Sequence, residues 1–148
     1  MIKINLEVDT FPPLGFTTEN KLLLLPFSFY VKCFSLTDLF AGKMHALLFR
    51  NWKNRIKGRD WFDFEWYVRN GTTMNLSHFI NRALQSGHLT NEMLTVTAFR
   101  TILAQRIDSL DIHAAINDVS RFVTDIEPLN IWSKQYFHEL AQRMSNNP

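Results

Sequence analysis

The hydrophobic period of this sequence changes once, near Ser35, and that change restricts the chain to a few strands followed by helices. Before it, Ile2, Ile4, Leu6 and Val8 alternate with Lys3, Asn5, Glu7 and Asp9, the period of two that marks a half-buried strand. Residues 10–20 hold Pro12, Pro13 and Gly15 and read as a turn or loop. Residues 21–25 form a short apolar piece stopped by Pro26, and 27–34, aromatic-rich with Val31, read as a second strand. Ser35 and Asp38 then fit the acidic form of a capping box, so a helix is expected over 36–50. Further helices are expected over 59–69, closed by Asn70-Gly71, and over 75–86, closed by Gly87. Three more are expected over 90–110, 112–124 and 131–144, the last two separated by Glu127-Pro128. With no repeat and no linker, this predicts an α+β fold: one domain over 1–148, strands and loop in 1–34 and a helical bundle in 35–148.

Composition narrows the setting. A chain of 148 residues that is 46% hydrophobic can bury a real core, and 14% aromatics argue against disorder. The lone Cys33 rules out a disulfide framework within the chain and points to a reducing compartment, the cytoplasm. Lys3, Glu7 and Asp9 interrupt any signal-peptide pattern, and no apolar run approaches the ~20 residues of a membrane helix. The net charge of +2 says little by itself; the distribution of charge says more.

Three groups of residues can carry chemistry. Glu7 and Asp9, at i and i+2 of a strand, share a face and suit a Mg²⁺ ligand pair or a general base. The competing reading is a solvated edge face balanced by Lys3, and the spacing alone favours it. Lys43 lies in a helix that is apolar almost all round, on a stripe with Leu36, Phe40, Leu47 and Arg50. A lysine so placed either snorkels to water or is aimed at an anion. Gly42 beside it costs roughly 1 kcal/mol against alanine in a helix and suggests a close approach of backbone or ligand. His45 reads as a structural histidine, and no His/Cys spacing resembles a zinc site.

The third group is the densest. Arg50, Lys53, Arg55, Lys57 and Arg59 place five cations in ten residues, and Asp60 and Asp63 follow one helical turn apart. Arginine forks and the free N–H groups of the next helix attract phosphate. Taken singly, each charge fits an Arg–Asp network that caps the helix; as a group beside Lys43, they favour anion binding. Trp61, Phe64 and Val68 fall at core spacing, which leaves Trp52 as the aromatic placed to stack a base.

Three segments, in this order, resemble successive motifs of the AbiEii/AbiGii nucleotidyltransferase toxins: Ile4-Asn-Leu-Glu-Val-Asp9, Leu39-Phe-Ala-Gly-Lys-Met-His-Ala-Leu-Leu-Phe-Arg50 and Arg55-Ile-Lys-Gly-Arg-Asp-Trp-Phe-Asp63. The resemblance implies a polymerase-β-like transferase that moves a nucleotidyl group from a nucleoside triphosphate, with Mg²⁺, to an acceptor such as tRNA, opposed by a cognate antitoxin. It implies Glu7, or else Asp9, as a strand carboxylate near the metal, Lys43 on the triphosphate, and Asp60 and Asp63 as the acids needed for activity. Arg50, Arg55, Lys57 and Arg59 would support phosphate or RNA. The family also carries a Gly-Ser motif with metal carboxylates, and this sequence contains no Gly-Ser pair. The chain is therefore expected to resemble the carboxyl-terminal part of such an enzyme, inactive unless completed. The alternative is a non-catalytic nucleic-acid- or protein-binding module built on the 50–59 cluster. An exposed strand edge at residues 1–9 further suggests a homodimer.

Overall fold

A computed structural model describes residues 6, 8–50, 56–91 and 94–147. Its first element is an antiparallel hairpin of β1 (Thr18–Leu23) and β2 (Phe29–Phe34), in register from Thr18 opposite Phe34 to Leu23 opposite Phe29. The aromatic and β-branched residues of β2 form the expected strand. β1 corrects the loop expected over 10–20: Thr18, Glu19 and Asn20 have little strand propensity of their own and are held by pairing with β2. The strand expected over 1–9 falls mostly outside the described residues, and Leu6, Val8 and Asp9 take no regular structure.

Six α-helices follow among the described residues, giving the α+β class. α1 (Leu36–Phe49) begins where Ser35 Oγ accepts from Asp38 N. Asp38 itself is 2% exposed. Its Oδ2 accepts from Thr17 N at 2.6 Å and Ser35 Oγ at 2.7 Å, and its Oδ1 from Asn75 Nδ2 at 2.6 Å. Burial works to raise the pKa of this carboxyl, but the donors from Thr17, Ser35 and Asn75 together hold it below the ordinary value. One carboxylate thus ties the hairpin, α1 and the start of α3 together.

α2 (Gly58–Arg69) ends at Asn70 and Gly71, the latter at φ +63°. α3 (Leu76–Gln85) is capped by Asn75. Met74–Asn75 (β3) pairs in parallel with Asn146–Asn147 (β4), a two-residue ladder too short to leave a sequence period. α4 (Val96–Asp108) starts later than residue 90 because the Thr95 hydroxyl caps Ala98 N. α5 (Ile112–Val119) stops short of residue 124, before β-branched Val123 and Thr124. α6 (Lys134–Arg143) starts at a Ser133 cap rather than at residue 131, since Glu127–Ile131, with Pro128, forms a 3-10 turn.

The core runs through every helix, with Phe40, Met44, Phe64, Phe79, Phe99 and Phe137 fully buried. α1 lies at its centre and packs on α2, α3 and α4. Trp61 and Phe64 are core, as their spacing predicts, and Val68 packs partly buried against it. Glu65 is buried on the same helix and accepts from Trp132 Nε1 (2.8 Å) and Tyr136 Oη (2.7 Å), pinning the 3-10 turn and α6 to α2. Among the described residues, no helix is long and apolar enough to cross a membrane.

Candidate functional site

α1 and α2 present their charged residues to each other. Lys43 Nζ of α1 lies 2.6 Å from Asp63 Oδ2 of α2, with the two side chains 48% and 33% exposed. A pair this open is worth at most about 1 kcal/mol, so an anion can take the lysine at little cost. Lys43, Arg50, Lys57, Arg59, Asp60 and Asp63 line one cavity of about 350 Å³. Its opposite wall is apolar, formed by Phe62 together with Val119, Phe122 and Val123 from α5 and the turn after it. A second hollow of about 230 Å³ shares Lys43, Arg50 and Asp60 and adds Arg82 of α3.

Local packing explains this convergence. A Cβ at Gly58 would lie 1.9 Å from the carbonyl oxygen of Ala115, so only glycine lets the start of α2 approach α5 this closely. That approach sets the Arg59 guanidinium 4.1 Å over the centroid of the Phe122 ring, a cation–π contact. Phe122 is 55% exposed at the cavity mouth. The Lys57 N-cap makes no side-chain capping bond, although Asp60 N in the first turn of α2 donates to Lys57 O at 3.1 Å. Gly42 differs from Gly58: a Cβ there would meet the Arg82 guanidinium at an ordinary 3.8 Å, so no close approach depends on it.

Electrostatics distinguish the two acids. Burial raises the pKa of Asp60, Lys57, Lys43 and Arg50 oppose that shift, and Asp63 adds to it. Asp60, half-buried, is thus held above its ordinary value, a perturbation that also occurs at carboxyls of functional clefts. Asp63 is committed to Lys43. His45, on the far side of Lys43, is held by structure: its Nε2 bonds Ser86 Oγ at 2.9 Å and its ring lies among Phe49, Phe79 and His88. Burial, then the charges of Arg82, His88 and Arg50, push its pKa down to about 4.

The sequence-derived candidates separate into three groups. Lys43, Asp60, Asp63, Arg50, Lys57 and Arg59 meet at one cavity. Asp9 does not join them; its carboxylate accepts from Phe11 N at 2.9 Å in the exposed arm before the hairpin. Glu7 and Arg55, with Trp52 and Lys53, lie outside the described residues. Phe122, in the turn after α5, and Arg82, on α3, line these two hollows without having been anticipated, because they come from segments remote in sequence and no local pattern marks them.

Among the described residues, no three His, Cys, Asp or Glu side chains cluster as a metal cage. Asp60 and Asp63 supply two carboxylates beside a ring of cations, which suits Mg²⁺ bound through one or two carboxylates plus substrate phosphates. An apolar hollow of about 480 Å³ near Phe11, Leu14, Asn81 and Gln85 has no ionisable group in its lining and offers no acid–base chemistry.

Residues 1–143 match the family model described as nucleotidyl transferase AbiEii toxin, of a Type IV toxin–antitoxin system, and the chain belongs to that family. Its toxins are accordingly paired with antitoxins. No curated protein and no solved structure matches the chain.

Proposed function

We propose that this family member binds a nucleoside triphosphate between α1 and α2 and takes part in transfer of its nucleotidyl group to an acceptor such as tRNA. The supporting observation is the shared cavity, where a lysine, three further cations and two carboxylates face a partly aromatic wall. In such a transfer an acceptor hydroxyl attacks the α-phosphorus and the bond to pyrophosphate breaks, so charge grows on the departing oxygens. Lys43 and Arg50 neutralise that charge, and Lys57 and Arg59 hold the outer phosphates or the acceptor backbone. With Lys43 turned from Asp63 to phosphate, Asp63 and Asp60 would be the residues to hold a divalent cation brought with the nucleotide. That cation would polarise the phosphates. The sequence has no Gly-Ser pair, and on this reading turnover needs the family's Gly-Ser motif to be supplied.

The same proposal covers a single domain over 1–148, a cytoplasmic setting, a cognate antitoxin and a homodimer. A second reading, non-catalytic RNA binding, is favoured by one observation: the exposed Phe122 beside Arg59, a cation-backed surface for a base. Calorimetric titration with Mg²⁺ and each nucleoside triphosphate, together with labelled-nucleotide transfer to tRNA, separates the two. Lys43→Ala should weaken triphosphate binding by roughly tenfold or more. Equal affinity of Lys43→Ala and the wild type would sink the nucleotide reading. RNA binding that falls steeply with salt while triphosphates fail to bind would establish the module.

A further inference from the structure

The hollow that Lys43, Arg50 and Asp60 share with α3 contains one group that the site described above does not use. The guanidinium of Arg82 lies against α1 at Gly42 and lines this hollow. Its Nε is buried and has no hydrogen-bond partner among the described residues. Buried donors are nearly always satisfied, and leaving a charged one bare is costly. Neither acid lining the hollow satisfies this Nε. Asp38, in the same hollow, spends both oxygens on Thr17, Ser35 and Asn75. Asp60, the other acid lining the hollow, does not bond the Arg82 Nε either. The missing acceptor therefore belongs to a ligand, and between Lys43, Arg50 and Arg82 that ligand is an anion.

We propose that Arg82 is a further phosphate-binding residue of the site, its buried Nε–H directed to a non-bridging phosphate oxygen of the bound nucleotide. This rests on the nucleotide reading above and deepens it. The shared hollow becomes the place of the polyphosphate, and the cavity walled by Phe122 receives the base or the acceptor. Arginine suits this position better than lysine, because its fork delivers directed donors to phosphate rather than a point charge.

Inorganic tripolyphosphate isolates the phosphate subsite from the base. Its affinity is measured by calorimetry for wild type, Arg82→Gln, Arg82→Lys and Lys43→Ala, with circular dichroism confirming the fold of each. Arg82→Gln should lose roughly tenfold to a hundredfold, and Arg82→Lys should recover only part of that. As a further readout in the wild type, tripolyphosphate should raise the pKa of His45 from about 4, because the anion offsets the charges of Arg82 and, to a smaller degree, Arg50 felt by that ring. If Arg82→Gln binds like wild type while Lys43→Ala does not, Arg82 is structural and the nucleotide reading stands. If wild type binds no tripolyphosphate, the reading and this inference fail together. Should Arg82→Gln not fold, the His45 titration decides, and an unmoved pKa overturns the proposal.

Discussion

Lys43 and Asp63 hold each other in an open pair, Asp60 is half-buried, and Arg82 is buried at one donor atom. These different environments divide the labour among residues that composition alone treats alike. Lys43, Asp60 and Asp63 were legible as candidates because a helix repeats every 3.6 residues, so spacing already fixes shared faces. Arg82 was not legible, since it meets Lys43 only through the packing of α3 on α1. His45 reports on this packing and yields a prediction. Its ordinary pKa is 6.5 and its folded value about 4, so on acidification the unfolded chain takes up the proton first. The stability His45 allows is complete above pH 6.5 and declines as pH falls toward 4. Arg82→Gln removes one of the opposing charges and should raise the His45 pKa, narrowing that window. NMR titration of the His45 ring, with denaturation at pH 7 and pH 5, checks both effects. A His45 that titrates at its ordinary value would refute the account.

Among the elements, α1 and α2 follow their sequence signals closely, α1 because Ser35 caps its start and α2 because Asn70-Gly71 close its end. The hairpin does not, because Thr18–Asn20 become strand only through partners twelve or more residues away in register. Two glycines show why residue type alone misleads at this scale. Gly42 looked like the site of a close approach, yet an added Cβ meets only Arg82, at 3.8 Å. Gly58 fell just outside the helix expected over 59–69, yet its Cβ would stand 1.9 Å from the Ala115 carbonyl. Substitution by alanine should therefore act in opposite directions. Gly42→Ala should be neutral or stabilising by up to about 1 kcal/mol through helix propensity. Gly58→Ala should cost about 2–3 kcal/mol as α2 is forced off α5, and should weaken nucleotide binding by separating Arg59 from Phe122. Urea denaturation of both variants measures the difference. A Gly58→Ala protein as stable as wild type would show that the approach of α2 to α5 is not tight.

At the scale of the whole molecule, apolar exposure is unevenly placed. Of the eighteen large apolar side chains exposed among the described residues, nine lie between Leu22 and Leu39 and four more between Leu6 and Leu14. The helices beyond Leu39 bury theirs well, so the exposure belongs to the hairpin, the preceding arm and the first turn of α1. Segregated apolar surface marks association rather than poor folding. A homodimer, expected above through residues 1–9, would find further apolar surface on the neighbouring hairpin, where Leu24, Leu25 and Phe27 are 65%, 83% and 69% exposed. Sedimentation velocity should show the wild type shifting from monomer to dimer with concentration. Replacing Leu24 and Phe27 together by lysine should hold it monomeric, with its thermal midpoint unchanged because neither side chain contributes to the core. A wild type that stays monomeric at every concentration would rule out self-association, and the apolar face would then be left for a different partner chain. A double variant that dimerises as before would move the interface away from the hairpin.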